Sequence, residues 1–157
     1  MDYFVACISG VKIFTYLRAM KYATYQLSVP IYKAEYVIAI GRTCSDCEDA
    51  IQETWELNSP KDPFTQRLDE EVDGRFGSVT SGHPECRTLF YISIPLKGYG
   101  VRKLAINISH ESIHAAFNIL QHVGVSVDHD NHEALTYLSD FIQERVWACI
   151  DDFKAKR

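Results

Sequence analysis

The chain has 157 residues, of which 46% are apolar and 12% aromatic, and its net charge is −5. This composition is sufficient for one folded domain and is not that of a disordered tail. Lysine and arginine are scattered along the chain, so we expect no nucleic-acid partner. No stretch reaches the roughly 18 apolar residues that cross a bilayer, so we expect no membrane partner.

Cysteine usage and the first residues bear on the cellular compartment. The five cysteines are an odd number and lack the spacing of a disulfide framework. The opening residues MDYFV lack the basic and apolar segments of a secretory signal. We therefore expect a protein of the reducing cytoplasm.

Residues 1–28 are interpreted as an N-terminal extension, and residues 29–157 as a single domain. Within the extension, Val11, Phe14 and Leu17 follow helical spacing and predict a helix, although β-branched residues and tyrosines are frequent there. No internal repeat indicates a second domain.

The first half of the domain predicts a strand followed by a helix. The run YVIAIG at 36–41 is short and apolar and ends in glycine, as buried strands do. Ser45 and Glu48 have the spacing of a capping box, which predicts a helix from there to about residue 57. Residues 58–75 contain two prolines and many acidic residues, and we predict a loop.

A hairpin and two helices follow. Strands are predicted at 76–80 and 87–94. Residues 101–123 have the clearest helical periodicity, Gly124 is a credible C-cap, and a last helix is predicted at 131–153. The predicted apolar faces are Ile113, Ala116, Phe117, Leu120 and Val123 on one helix and Leu135, Leu138, Ile142, Val146 and Ile150 on the other. We expect an α+β fold, with a small and mostly antiparallel sheet packed against helices.

The stretch HESIH at 110–114 carries the strongest functional signal. Four residues turn a helix by about 400°, so His110 and His114 share one face and their nitrogens can converge on one ion. Glu111 lies beside the first histidine, where its carboxylate can take a proton from a metal-bound water. Shuffling this composition yields the motif in about 1% of chains, so chance is a poor explanation. We predict zinc ligands at His110 and His114 and a base at Glu111.

A catalytic zinc site needs a third protein ligand. Glu133 lies 19 residues after His114, at the start of the last predicted helix. The seven loop residues 125–131 can span about 20 Å when extended. The helix from Gly124 back to His114 is roughly 15 Å long, so the loop can return far enough for Glu133 to reach the pair. The alternatives for this ligand position are His129, Asp130 and His132.

The segments PIYKAEYVIAIG, HESIHAAFNIL and HEALTYL resemble, over about residues 29–141, a group of small phage and prophage proteins regarded as zincins. The arrangement is also similar to the gluzincin branch of zinc metallopeptidases, in which two histidines and a Glu from the next helix hold the zinc. The resemblance implies a zincin-like fold, with His110, His114 and Glu133 as ligands and Glu111 as base. It also implies the cytoplasm of a bacterial host as the location.

One position departs from the gluzincin pattern, and the residue that would stabilise an oxyanion is left with three candidates. Tyr137 stands four residues after Glu133, where the thermolysin type has an Asp that orients the first histidine; Asp140 lies nearly one turn further along. The candidates for stabilising an oxyanion are Tyr137, Tyr91 and His83, and Tyr137 is taken as the catalytic candidate among them.

The sequence therefore predicts a zinc-dependent metallopeptidase with a peptide or protein substrate, which an edge strand at 87–94 would receive by strand addition. One alternative is a zincin-like binding or assembly protein of a phage, without turnover. Another is a thiol-disulfide oxidoreductase using Cys44 and Cys47, because helix N-termini favour thiolates. The oligomeric state is not indicated.

Overall fold

The structure, a computed structural model, describes residues 4–8, 11–15, 21–32, 34–58, 74–80 and 88–157. Within these ranges the strands are β1 (Phe4–Ile8), β2 (Val11–Thr15), β3 (Tyr22–Val29), β4 (Ala34–Gly41), β5 (Arg75–Thr80) and β6 (Thr88–Pro95). The helices are α1 (Cys44–Asn58), α2 (Val101–His122) and α3 (His132–Ala155), and a short 3-10 turn spans Pro30–Tyr32.

The strands form one sheet in the order β1-β2-β3-β4-β6-β5. Neighbouring strands are antiparallel except β4 and β6, which run parallel with Ile38 beside Ile92. In the described part of the chain β5 pairs with β6 alone, so β5 is an edge strand. The predicted α+β class is confirmed, with a mixed sheet in which β4 and β6 form the one parallel pair among the described strands, and the zincin-like fold stays a prediction.

Helices cover both faces of this sheet. On one face, Ile51 and Trp55 of α1 pack against Val37 of β4 and Tyr91 of β6. On the other face, α2 and α3 enclose the larger core. The fully buried side chains of that core include Tyr25, Leu27, Ile38, Ile40, Ile92, Ile94, Ile108, Ile142, Val146 and Phe153. Strands β4 and β6 contribute to both cores because successive side chains point to opposite faces.

The helical interpretation of residues 1–28 is wrong for the residues described there. Residues 4–8, 11–15 and 22–28 lie in strands, and β3 continues to Val29 beside β4. Side chains alternate between buried and partly exposed along β3, with Ala23, Tyr25, Leu27 and Val29 buried. That period of two is the pattern of a strand with one face in the core, and it is present in the sequence.

The N-cap of the first helix lies two residues before the predicted cap. The Thr43 hydroxyl accepts a hydrogen bond from the Asp46 N–H at 3.2 Å, and the Asp46 carboxylate accepts one from the Thr43 N–H at 2.9 Å. This is a capping box with Thr43 as N-cap, whereas Ser45 is exposed within the first turn. The predicted span of the helix is otherwise confirmed.

The two long helices lie where the sequence predicts them, but the predicted apolar face of α2 is partly wrong. Ala116 and Leu120 are buried, whereas Ile113 and Phe117 are 41% and 46% exposed. The predicted face of α3 is confirmed, with Leu135 partly buried and the other four residues buried. Gly124, with φ of +76°, follows α2 as predicted, and the Val125 N–H donates to the Leu120 carbonyl at 2.8 Å.

One strand that the sequence predicts at the sheet edge lies inside the sheet. The strand expected to form an open edge at 87–94 is interior, because β6 lies between β4 and β5. The connection between the two predicted hairpin strands and most of the predicted loop at 58–75 fall outside the described residues. Among the helices described, none combines the length and apolar character needed to cross a membrane.

Candidate functional site

His110 and His114 meet on the exposed side of α2. Both side chains are exposed, their ring centroids are 4.6 Å apart in an edge-to-face arrangement, and their Nε2 atoms are 3.0 Å apart. A spacing of four residues on a helix produces this contact, as the sequence predicts. The two nitrogens that can bind a metal therefore already point to the same place.

The separation of the two nitrogens fits one zinc ion. Two ligands at about 2.0–2.1 Å in tetrahedral geometry have their nitrogens roughly 3.3–3.4 Å apart. The observed 3.0 Å between the Nε2 atoms is close to this value. In the metal-free state the same contact is satisfied when one Nε2 carries the proton and the other accepts it.

Glu111 faces the sheet, beside the edge strand. Its side chain is 8% exposed, and its Oε2 accepts a hydrogen bond from the backbone N–H of Phe76 in β5. Phe76 lies opposite Ile92 of β6, in a position where its N–H points away from that neighbour and towards the helix. The predicted base is therefore also a link between α2 and the edge strand.

The structure does not bring Glu133 to the histidine pair. Glu133 lies exposed in the first turn of α3, and the described residues contain no group of three or more His, Cys, Asp or Glu side chains placed to hold one metal ion. The two helices pack against each other, with α2 over β5 and β6 and α3 over β3 and β4, so what matters is which side of α2 carries the pair. Glu111 lies on the side of α2 that faces β5. His114 is about 60° from Glu111 around the helix axis, so the pair lies nearer to the β5 side of α2 than to the side that contacts α3.

The candidates for stabilising an oxyanion are spread over the fold. Tyr137 is 70% exposed on the second turn of α3. Tyr91 is buried on the opposite face of the sheet, in the core beneath α1, so it does not belong to a site on α2. His83 lies outside the described residues. Tyr137 as a catalytic residue stays a prediction.

The other described histidines make local contacts away from the pair. His122 places its ring edge-on to Phe90 of β6, with centroids 5.7 Å apart. In the loop before α3, the rings of His129 and His132 are 6.1 Å apart, and the Nδ1 of His132 is 2.8 Å from the His129 carbonyl oxygen. His129 also pairs with Asp130, at 3.6 Å between Nδ1 and Oδ1.

The two cysteines at the start of α1 differ from each other in exposure. Cys47 is fully buried, and its thiol donates to the Ala39 carbonyl at 3.6 Å. Burial raises the pKa of the Cys47 thiol well above its usual range, and the neighbouring Cys44 and Asp46 raise this pKa further. A thiolate is therefore disfavoured at Cys47, whereas Cys44 is partly exposed at the start of the helix, and the oxidoreductase hypothesis stays an untested alternative.

Sequence reasoning missed the part played by the edge strand. Phe76 and Glu111 are 35 residues apart, and the contact uses a backbone N–H, which leaves no residue-type signature. The one available signal was the unpaired edge itself, because a hairpin strand at the sheet boundary presents free backbone donors.

Comparison with protein-family models, with curated proteins and with solved structures gives no match to this chain.

Proposed function

We propose that the protein binds zinc through His110 and His114 and hydrolyses peptide bonds at that site. The observation that supports the proposal most directly is the 3.0 Å separation of the two Nε2 atoms on an exposed helix face. A zinc ion held in this way lowers the pKa of a bound water to near 7 and polarises a carbonyl group. The proposal includes a cytoplasmic location and a peptide or protein as substrate.

Glu111 supplies the proton transfer in this proposal. A carboxylate has two oxygens, so Oε2 can hold the Phe76 N–H while Oε1 takes a proton from water and passes it to the leaving amine. The contact with β5 fixes the side chain in one orientation on the β5 side of α2, from which Oε1 would have to reach a water held at the histidine pair. Such positioning is what a general base requires.

Glu133 remains the proposed third ligand. Its recruitment requires the first turn of α3 to move around α2 towards the pair, because the described residues do not bring these groups together. Glu133 itself is exposed, but Ala134 and Leu135 in the same turn pack against the larger core, so this movement would have to detach them from it.

Zinc binding tests the ligands separately from the chemistry. We expect near-stoichiometric zinc by elemental analysis, a loss of at least about tenfold in zinc affinity for His110→Ala, His114→Ala and Glu133→Ala, and no change for His132→Ala or Glu144→Ala. Absence of bound zinc in the wild-type protein would reject the proposal. Retention of zinc affinity in Glu133→Ala would reject that ligand alone.

A second candidate is the zincin-like binding protein without turnover, and the hydrogen bond between Glu111 and Phe76 favours it. That bond gives the glutamate a purely structural use in a metal-binding module. Digestion of a peptide library separates the two candidates. The metallopeptidase requires cleavage that disappears in Glu111→Gln while zinc remains bound, whereas zinc binding without Glu111-dependent cleavage supports the binding protein.

A further inference from the structure

Two cysteines lie at the start of α1, on the face of the sheet away from the histidine pair. Cys44 is the first residue of the helix and is partly exposed, whereas Cys47, three residues further, is fully buried. Neither residue has a part in the proposed function. The pair is therefore a second arrangement of reactive groups, with one cysteine partly open to solvent and the other enclosed.

Helix geometry places these two residues at a distance that a disulfide can bridge. The Cα atoms of residues three apart on a helix are about 5 Å from each other. Disulfides join Cα atoms that are roughly 4.4–6.8 Å apart. The Cβ atoms of such a pair are about 5–6 Å apart and must close to about 4 Å. This adjustment falls in the first turn of α1, where the leading backbone N–H groups have no partner within the helix to lose.

The end of β4 fixes the position of the buried sulfur. The Cys47 thiol donates to the Ala39 carbonyl at 3.6 Å. A Cβ atom at Gly41 would lie 2.9 Å from the Cys47 sulfur, closer than side chains approach, so glycine is what leaves room for this sulfur. Burial raises the pKa of the Cys47 thiol, and the nearby Cys44 raises it further, as expected for two sulfurs close enough to interact.

From this arrangement we propose that Cys44 and Cys47 form a reversible internal disulfide when the protein meets a low-molecular-weight disulfide such as oxidised glutathione. The inference is independent of the proposed function, because α1 and α2 lie on opposite faces of the sheet. Unlike the oxidoreductase alternative, it needs no protein substrate, since the change takes place in the pair itself.

The exposure of the two cysteines sets the order of the steps. The Cys44 thiolate attacks one sulfur of oxidised glutathione, the glutathione disulfide breaks, and one glutathione leaves as its thiolate. The Cys47 sulfur then attacks the Cys44 sulfur and releases the second glutathione, which takes up the proton of Cys47. The protein loses two hydrogen atoms, and one oxidised glutathione becomes two reduced ones. The second step is the slower one, because burial disfavours the Cys47 thiolate.

Peptide mapping tests this inference on the wild-type protein. Trypsin releases residues 43–61 as one peptide, which contains Cys44 and Cys47 and no other cysteine. The protein is equilibrated with oxidised and reduced glutathione, blocked with iodoacetamide in urea and digested, and the mass of the peptide is measured. We expect an unlabelled peptide that is two hydrogen atoms lighter than the dithiol, and its return to two labelled thiols after treatment with dithiothreitol.

Two variants test the order of the steps. Cys47→Ser keeps a donor for the Ala39 carbonyl and is expected to accumulate glutathione on Cys44, because the second step cannot occur. Cys44→Ser is expected to carry neither a disulfide nor glutathione in the same peptide, because its remaining sulfur is buried. Cys149, also buried, is the internal control and is expected to stay unmodified in its own peptide, residues 146–154. Circular dichroism confirms the fold, and Cys47→Ala serves where Cys47→Ser does not fold.

The same measurement on the urea-unfolded chain shows whether the fold contributes. There we expect half conversion to need at least about a tenfold higher ratio of oxidised to reduced glutathione, because the helix no longer holds the pair at bridging distance. A native protein whose peptide stays fully labelled in excess oxidised glutathione overturns the inference. A disulfide that forms as readily in urea as in the native protein, or glutathione on Cys47 in Cys44→Ser, overturns it as well. Zinc binding and Glu111-dependent cleavage are measured separately and stand or fall on their own.

Discussion

Two core tyrosines differ in what their hydroxyl groups contact. The Tyr25 hydroxyl donates to the Asp152 carboxylate at 2.9 Å and joins β3 to α3. The Tyr36 hydroxyl is buried and has no hydrogen-bond partner among the described residues. We expect Tyr25→Phe to lower the free energy of unfolding by about 1–2 kcal/mol, and Tyr36→Phe to leave it unchanged or raise it by up to about 1 kcal/mol. Urea unfolding measures both free energies. A larger decrease for Tyr36→Phe than for Tyr25→Phe would contradict the hydrogen bonding described for the two hydroxyl groups.

Buried ionisable groups make the fold sensitive to alkali. Burial, with a contribution from Asp152, raises the pKa of the Cys149 thiol from its usual 9.0 to about 12. Burial also raises the pKa values of the Tyr25 and Tyr36 hydroxyls well above their usual value. In the unfolded chain these groups lose protons at lower pH, so unfolding releases protons in alkali and stability falls with rising pH. We expect the free energy of unfolding to be level for these groups below about pH 8 and to fall from about pH 9 to 12. In Cys149→Ala the free energy of unfolding is expected to fall less steeply with pH over this range. Urea unfolding at several pH values measures it, and the same pH dependence in the variant and the wild type would contradict the expectation.

The histidine pair is the part of the candidate site that the sequence predicts. A helix fixes the distance between residues four apart, so His110 and His114 meet wherever the helix lies in the fold. The position of Glu133 depends instead on how α2 and α3 pack, which the local pattern does not determine. The link between Glu111 and Phe76 depends on the sheet order in the same way.

At the level of single elements, the first turn of α1 gives a direct test of the capping assignment. Thr43 and Asp46 bond to each other's backbone, whereas Ser45 is exposed and the sequence alone had favoured it as the cap. Thr43→Ala is expected to cost about 1 kcal/mol in unfolding free energy, and Ser45→Ala less than about 0.5 kcal/mol. Equal effects in urea unfolding would restore Ser45 as the cap.

The elements that the sequence predicts well are those with a strong local pattern. The apolar run of β4 and the long periodic helices α2 and α3 need no knowledge of their neighbours. The outer face of α2 was assigned to the core because Ile113 and Phe117 extend the apolar periodicity. The helix in fact buries the polar residues Glu111 and Ser112 on the sheet side, so its core face is rotated away from Ile113 and Phe117. Periodicity alone does not distinguish an exposed apolar face from a core face.

For the whole molecule, two cores share one sheet, so we expect them to unfold together. Trp55 lies in the core beneath α1, and Trp147 packs against the core beneath α2 and α3, and these are the two tryptophans of the chain. Trp147→Phe leaves a fluorescence reporter on one face, and Trp55→Phe leaves one on the other. In each variant the urea midpoints from fluorescence and from circular dichroism are expected to coincide, because β4 and β6 belong to both cores. Separate midpoints would show that one face unfolds independently of the other.

The parallel pairing of β4 with β6 sets an order for assembly during synthesis. Strand β5 leaves the ribosome before β6, yet in the described structure its partner is β6, and β6 must settle beside β4 across the whole α1 crossover. Closing that long loop is slow compared with forming a hairpin or a helix. The nascent chain therefore holds β4 without this neighbour until residue 95 has emerged, and in this interval chaperone contact would protect the open edge of β4 from pairing with another chain.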